Sequence, residues 1–185
     1  MIDPYFSGNE FAPKYEGKPD LVLVTHEHND HSDVEKFDTQ ITAPANCRFK
    51  RMISMGVGDS LNIGDADIKM VKASHARAPA RPSQLAAGYI IAYGGKRIYH
   101  AGDTYLDGIK NYGTIDVMMV PIGGHYTMNI DEAIEALKIV KPQLAIPMHY
   151  NTFPEIKADP KEFQSKAEKE GFKAQVMEFG QEITL

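Results

Sequence analysis

Short apolar runs alternate along this chain with polar stretches punctuated by glycine and proline, at spacings that predict strands and helices of a single mixed domain over residues 1–185. The run Leu21-Val22-Leu23-Val24 predicts a strand near 20–25, and similar runs predict strands near 67–74, 86–93, 96–101, 115–120, 143–147 and 173–178. Two helices carry start and stop signals. Asn129 and Glu132 spell a capping box ahead of Ile130, Ala133, Ile134, Leu137 and Val140, an apolar stripe at helical spacing that Lys141-Pro142 closes. Asp159, Pro160 and Glu162 open a second helix, which Gly171 ends. The pattern also suggests helices near 45–54 and 105–111. There is no internal repeat, linker or low-complexity stretch.

Composition changes this reading little. A chain of 185 residues, 43% of them hydrophobic, can bury a substantial core. No apolar run approaches the roughly 20 residues that span a bilayer, and Met1-Ile2-Asp3-Pro4 has no signal-peptide character, so a cytoplasmic protein is expected. The single cysteine, Cys47, stands apart from the histidines and reads as a small buried hydrophobe. A formal charge of −5 without a lysine or arginine cluster argues against nonspecific nucleic-acid binding and leaves a small molecule as the expected partner.

The chemistry concentrates in Thr25-His26-Glu27-His28-Asn29-Asp30-His31. In extended chain, alternate side chains share a face, so His26 and His28 can address one ion; a helix would splay them by about 200°. Asn29 and Asp30 favour a turn that carries Asp30 and His31 toward a second ion. Neutral imidazole and carboxylate suit zinc, manganese, iron or nickel. The bland alternative is a solvated loop. With only seven histidines in the chain, three within six positions speak against it.

His-x-His-x-Asp-His after a buried strand resembles the first metal motif of the metallo-β-lactamase superfamily. The superfamily's later ligands are matched in order by His75 in Lys72-Ala73-Ser74-His75, Asp103 in His100-Ala101-Gly102-Asp103-Thr104, and His149 in Ile146-Pro147-Met148-His149-Tyr150. Each alone is weak, since a lone histidine near a strand end is more often structural and Gly-Asp-Thr is a common turn. The finer resemblance is to the branch that contains L-ascorbate-6-phosphate lactonase. It rests on Ile2-Asp3-Pro4-Tyr5-Phe6-Ser7-Gly8-Asn9, on Tyr99-His100-Ala101-Gly102-Asp103-Thr104 and on Pro121-Ile122-Gly123-Gly124-His125-Tyr126-Thr127-Met128, and runs from residue 2 to about residue 155.

This resemblance implies an α/β fold, an αββα sandwich of two mixed sheets flanked by helices. It implies a binuclear site in which His26, His28 and His75 hold one metal, Asp30, His31 and His149 the other, and Asp103 bridges them. Zinc is the first candidate, with manganese, iron and nickel also suited. Two divalent ions some ~3.5–4 Å apart can bring a bridging water's pKa toward ~7, and Asp30 could orient that nucleophile and take its proton. The resemblance puts the glycine-rich loop at the pocket mouth, which makes His125 a candidate for substrate contact or transition-state stabilisation. His100 reads as a supporting or structural residue. Arg77 and Arg81 could meet an anionic substrate, although exposed loop arginines are commonly just solvated. Branch members usually begin with one or two strands and a Gly-His element ahead of Ile-Asp-Pro. None precedes Met1, so the first sheet is expected to be incomplete and the protein to associate as a homo-oligomer, most simply a two-fold dimer.

The expected activity is metal-dependent hydrolysis of a lactone or related carboxylic ester. A phosphodiesterase with the same metal site is the alternative, and a non-catalytic metal-binding ligand sensor is the rival from another class. A nuclease acting on structured RNA would need a gripping arm for which there is no insertion, and a β-lactamase is disfavoured by the branch resemblance.

Overall fold

The Leu21–Leu23 strand, β1, is buried on both faces, and its neighbours divide between two apolar clusters. In the computed structural model, which describes residues 1–75 and 85–185, Leu21 and Leu23 pack with Ile68, Met70 and Tyr89. Val22 and Val24 face the other way and pack with Val34, Ile41, Ala43 and Cys47. A continuous apolar run buried on both sides suits a parallel sheet. β1 pairs in parallel with β2 (Gln40–Pro44), which pairs in parallel with β3 (Met52–Met55). On the other edge of β1, Ile2 bridges Leu23, and the Asp3 N–H donates to the Leu23 carbonyl at 2.9 Å.

A second, mixed sheet holds β4 (Ser60–Ile63), β5 (Ala66–Lys72), β6 (Ala87–Tyr93), β7 (Lys96–His100), β8 (Val117–Pro121) and β9 (Leu144–Met148) in that spatial order. Pairing is antiparallel from β4 to β7 and parallel from β7 to β9. Strands β5, β7, β8 and β9 therefore run in one direction, and the segments that follow them emerge along one edge.

Both signalled helices form. In α1 (Ile130–Val140) the Asn129 side chain accepts from the Glu132 N–H and the Glu132 carboxylate accepts from the Asn129 N–H; Lys141 then turns left-handed at φ 55° ahead of Pro142. In α2 (Pro160–Lys169) the Asp159 carboxylate accepts from the Lys161 N–H. Ala133, Leu137 and Val140 of α1 and Phe163 and Ala167 of α2 pack with Tyr99, Met118, Val120 and Ala145, which places the helices on the outer face of the large sheet. The outer face of the small sheet is covered by the Val34 and Cys47 segments, which are turns rather than helix among the described residues. No helix is long and apolar enough to cross a membrane.

Three sequence expectations need correction. The helix near 45–54 does not form: residues 45–46 turn, and Met52–Met55 is strand β3, drawn into extended form by parallel pairing with β2. The helix near 105–111 is a single 3-10 turn, Leu106–Gly108. The strand near 173–178 is reduced to one bridge between Ala174 and Ala145, beside the outer edge of β9. Strands β2, β3 and β4 were not anticipated.

Candidate metal centre

His26, His28, Asp30 and His31 lie in the irregular segment that follows β1. The His28 carbonyl accepts from the His31 N–H at 3.0 Å and from Ser32 Oγ at 2.9 Å, and this tight turn parts the first two side chains from the second two. His75 follows β5, Asp103 follows β7 and His149 follows β9. The His75 and Asp103 segments are tied together, because the Ser74 N–H donates to Thr104 Oγ1 at 3.0 Å and the Tyr105 N–H donates to the Ser74 carbonyl at 2.7 Å. Gly102 turns the chain into Asp103 at φ 64°, where a Cβ would run into the Ala87 carbonyl. Buried His100 accepts the Gly102 N–H on Nδ1 at 3.2 Å, which gives it a structural part in the same turn.

These seven side chains form two cups with a shared wall. In the first, His28 Nδ1 lies 2.9 Å from His26 Nε2 and 3.3 Å from His75 Nε2. In the second, Asp30 Oδ2 lies 3.4 Å from His31 Nε2 and 3.7 Å from His149 Nε2. Asp103 stands between them: Oδ1 is 3.5 Å from His31 Nε2, while Oδ2 is 3.2 Å from His149 Nε2 and 3.6 Å from His75 Nε2. His31 Nε2, Asp103 Oδ1 and both ring nitrogens of His149 are buried without a hydrogen-bond partner. Orphaned buried donor and acceptor atoms are costly. A cation that engages His31 Nε2, His149 Nε2 and Asp103 would remove most of that cost, so this donor set fits a divalent metal.

Hydrogen bonds on the far side of the rings fix which nitrogen is presented. His26 Nδ1 donates to Thr25 Oγ1 at 3.1 Å, His31 Nδ1 to Asp3 Oδ2 at 2.9 Å, and His75 Nδ1 to the Tyr126 carbonyl at 3.1 Å. Each turns Nε2 inward, the arrangement that orients ligating histidines. Asp3 serves both cups. Its Oδ1 accepts the Thr25 N–H and its Oδ2 the Thr25 hydroxyl, both at 2.7 Å, so it holds His31 directly and His26 through Thr25. It does so from a left-handed backbone at φ 45°. The sequence showed Asp3 only as part of a resembling segment; no local spacing linked it to the histidines.

Without metal, the charges sort into a pattern. Burial, reinforced by neighbouring His31, pushes His26 down to about 3, so it is neutral. Burial works against charging His149 too, but Asp103 and Asp30 outweigh it and raise the ring to about 9. Burial likewise opposes charge on Asp103, yet His31 and His149 hold the carboxyl well below the usual range. Protons thus occupy the second cup where a cation would sit.

The cups open on a cavity of about 310 Å³ lined by His28, Asp30, His75, Asp103, His149, Tyr126, Phe153 and Glu155. Tyr126, Phe153 and Glu155 were not singled out in the sequence. His125 is exposed, has φ 54° and meets the Tyr126 ring edge-on at 4.3 Å; the cavity wall carries Tyr126 from this loop. Arg77 and Arg81 lie outside the described residues.

Comparison with known proteins gives the family. The model of the beta-lactamase superfamily domain matches residues 1–149, and the chain belongs to that superfamily. A UPF0173 metal-dependent hydrolase of Archaeoglobus fulgidus is 38% identical over 202 residues, covering 96% of this chain and 87% of that protein. Another, of Thermoplasma volcanium, is 40% identical over 185 residues, covering 90% and 82%. Among solved structures, Igni18, a metallo hydrolase from Ignicoccus hospitalis, superposes with a TM-score of 0.85 at 32% identity, covering 100% of this chain and 89% of that one.

Proposed function

We propose that this protein is a metal-dependent hydrolase of lactones or related carboxylic esters. The observation that carries the proposal is the pair of three-residue cups sharing Asp103 and facing one cavity. The names of its relatives support the hydrolase class. In this reading His26, His28 and His75 would hold one divalent ion and Asp30, His31 and His149 the other, with Asp103 shared between the cups and zinc the first candidate. When bound, two such ions would supply hydroxide near neutral pH and polarise the scissile carbonyl.

The chain's own residues do the rest. Asp30 orients the attacking water and accepts its proton; the neighbouring His149 and His31 overcome the effect of burial and keep this carboxyl ionised. Asp3, Thr25 and the Tyr126 carbonyl lock the histidine rings, so no reorganisation is needed as charge develops. His125, on the loop beside Tyr126, contacts substrate or meets the developing negative charge.

Turnover of a lactone panel and a phosphodiester panel by metal-loaded protein tests the proposal. Lactone or ester hydrolysis that disappears with a chelator and returns with metal is expected. Phosphodiester turnover alone would replace the carboxylic-ester reading. Inertness toward both panels at full metal occupancy would count against an enzyme of either kind.

A further inference from the structure

β1 and β2 run parallel, so the segments that follow them leave the small sheet along the same edge. After β1 comes the stretch that holds His26, His28, Asp30 and His31. After β2 comes the turn Pro44-Ala45-Asn46-Cys47, closed by the Cys47 N–H, which donates to the Pro44 carbonyl at 3.0 Å. Two further ties hold this turn. Cys47 is wholly buried and packs with Val22, Val24 and Ala43, and Arg48 Nη1 donates to the carbonyls of Ala45 and Cys47, both at 2.7 Å.

The side chain of Asn46 is not used by the turn. Its Oδ1 and Nδ2 are both buried, and neither has a hydrogen-bond partner among the described residues. A buried amide in that state costs stability. Asn46 borders one small cavity together with His26, His28 and His75, the three histidines of the first cup. That cavity measures about 10 Å³, roughly the room that a single water takes. The space between Asn46 and the cup is therefore no larger than one water.

We infer that Asn46 is a positioning residue of the first cup, its carboxamide kept beside the three histidines to support them when they hold a cation. A carboxamide can turn its carbonyl oxygen toward positive charge. Inside the protein that dipole acts on an ion and its polarised rings with little screening, across at most one bridging water. The amide thus finds in the loaded site the partner that the protein alone does not give it. The inference rests on the two-cup reading of the metal centre and adds a residue that is none of the ligands.

The test uses a His149→Ala background, which breaks the second cup so that one bound equivalent reports the first. Asn46 is kept, or replaced as Asn46→Leu or Asn46→Asp; its φ is not positive, so neither exchange strains the backbone. Competition with a chelator gives zinc affinity, the visible spectrum of the cobalt(II) form reads ligand geometry, and melting of the metal-free proteins reads the fold. Asn46→Leu should weaken zinc about tenfold, the low end for loss of a ligand's support, and shift the cobalt spectrum. Its metal-free melting temperature should equal or exceed that of the parent, because a buried amide without a partner is gone. Asn46→Asp keeps an acceptor and adds negative charge, so it should restore affinity to the parent's value or above. Unchanged affinity and spectrum in Asn46→Leu would overturn the inference, and so would equal losses in Asn46→Leu and Asn46→Asp, which would mean that only the shape of the turn matters. A parent protein that binds neither zinc nor cobalt would instead refute the two-cup reading, and the role of Asn46 with it.

Discussion

Asp3 commits both carboxylate oxygens to the ligand set, one to the Thr25 N–H and the other to the Thr25 hydroxyl and His31 Nδ1. Asp3→Asn keeps the size but removes the charge and one acceptor, so His31 loses the partner that fixes its ring. Metal affinity of the second cup should fall about 10–100-fold, the usual cost of removing such a support, with a smaller fall in the first cup, which Asp3 reaches only through Thr25. Competition with a chelator measures both; equal affinities in variant and wild type would show that the ring is held without Asp3. The contrast with the ligands explains what could be read from residues. His26, His28, Asp30 and His31 announce themselves because four ligand-type side chains crowd one short segment. Asp3 acts across 28 positions to His31, and Glu155 reaches the cavity only through a folded loop, so neither leaves a local signal.

At the scale of elements, legibility follows how local the stabilising interactions are. The capping box of α1 is closed within four residues and was anticipated in full. Strands β2, β3 and β4 were missed because each has five residues or fewer and owes its extended form to partners elsewhere in the chain. The segment 173–178 has strand-like composition but finds pairing only at Ala174. Two substitutions separate local from non-local effects. Asn129→Ala removes the cap and should cost about 1 kcal/mol in denaturant unfolding with no change in metal affinity. Gly102→Ala forces a side chain onto a left-handed residue pressed against the Ala87 carbonyl, between β6 and the Asp103 loop. It should cost about 2 kcal/mol or more and lower occupancy of both cups. A variant with wild-type stability and loading would mean that the loop yields without displacing Asp103.

At the scale of the whole molecule, the parallel run of β5, β7, β8 and β9 gathers ligand-type side chains from distant parts of the chain, and on the proposed two-metal reading the two cups should differ in their readiness for metal. The first contains His26, which is neutral above about pH 3 because burial and His31 disfavour its charge, so little proton competition remains there at pH 7. The second contains His149, which stays protonated below about pH 9 because Asp103 and Asp30 outweigh burial, so metal must displace that proton. Affinity of the second cup should therefore rise steeply as pH increases toward about 9, whereas that of the first should change less over the same range. Acidifying the fully loaded protein from pH 9 toward 6 should release one equivalent before the other. His149→Ala should abolish the early-released equivalent, His75→Ala should weaken the retained one, and Asp103→Ala should weaken both. Elemental analysis after desalting at each pH decides the matter. Simultaneous release, or a wild-type protein that never holds more than one equivalent in excess zinc or manganese, would defeat the model of two unequal cups joined by Asp103.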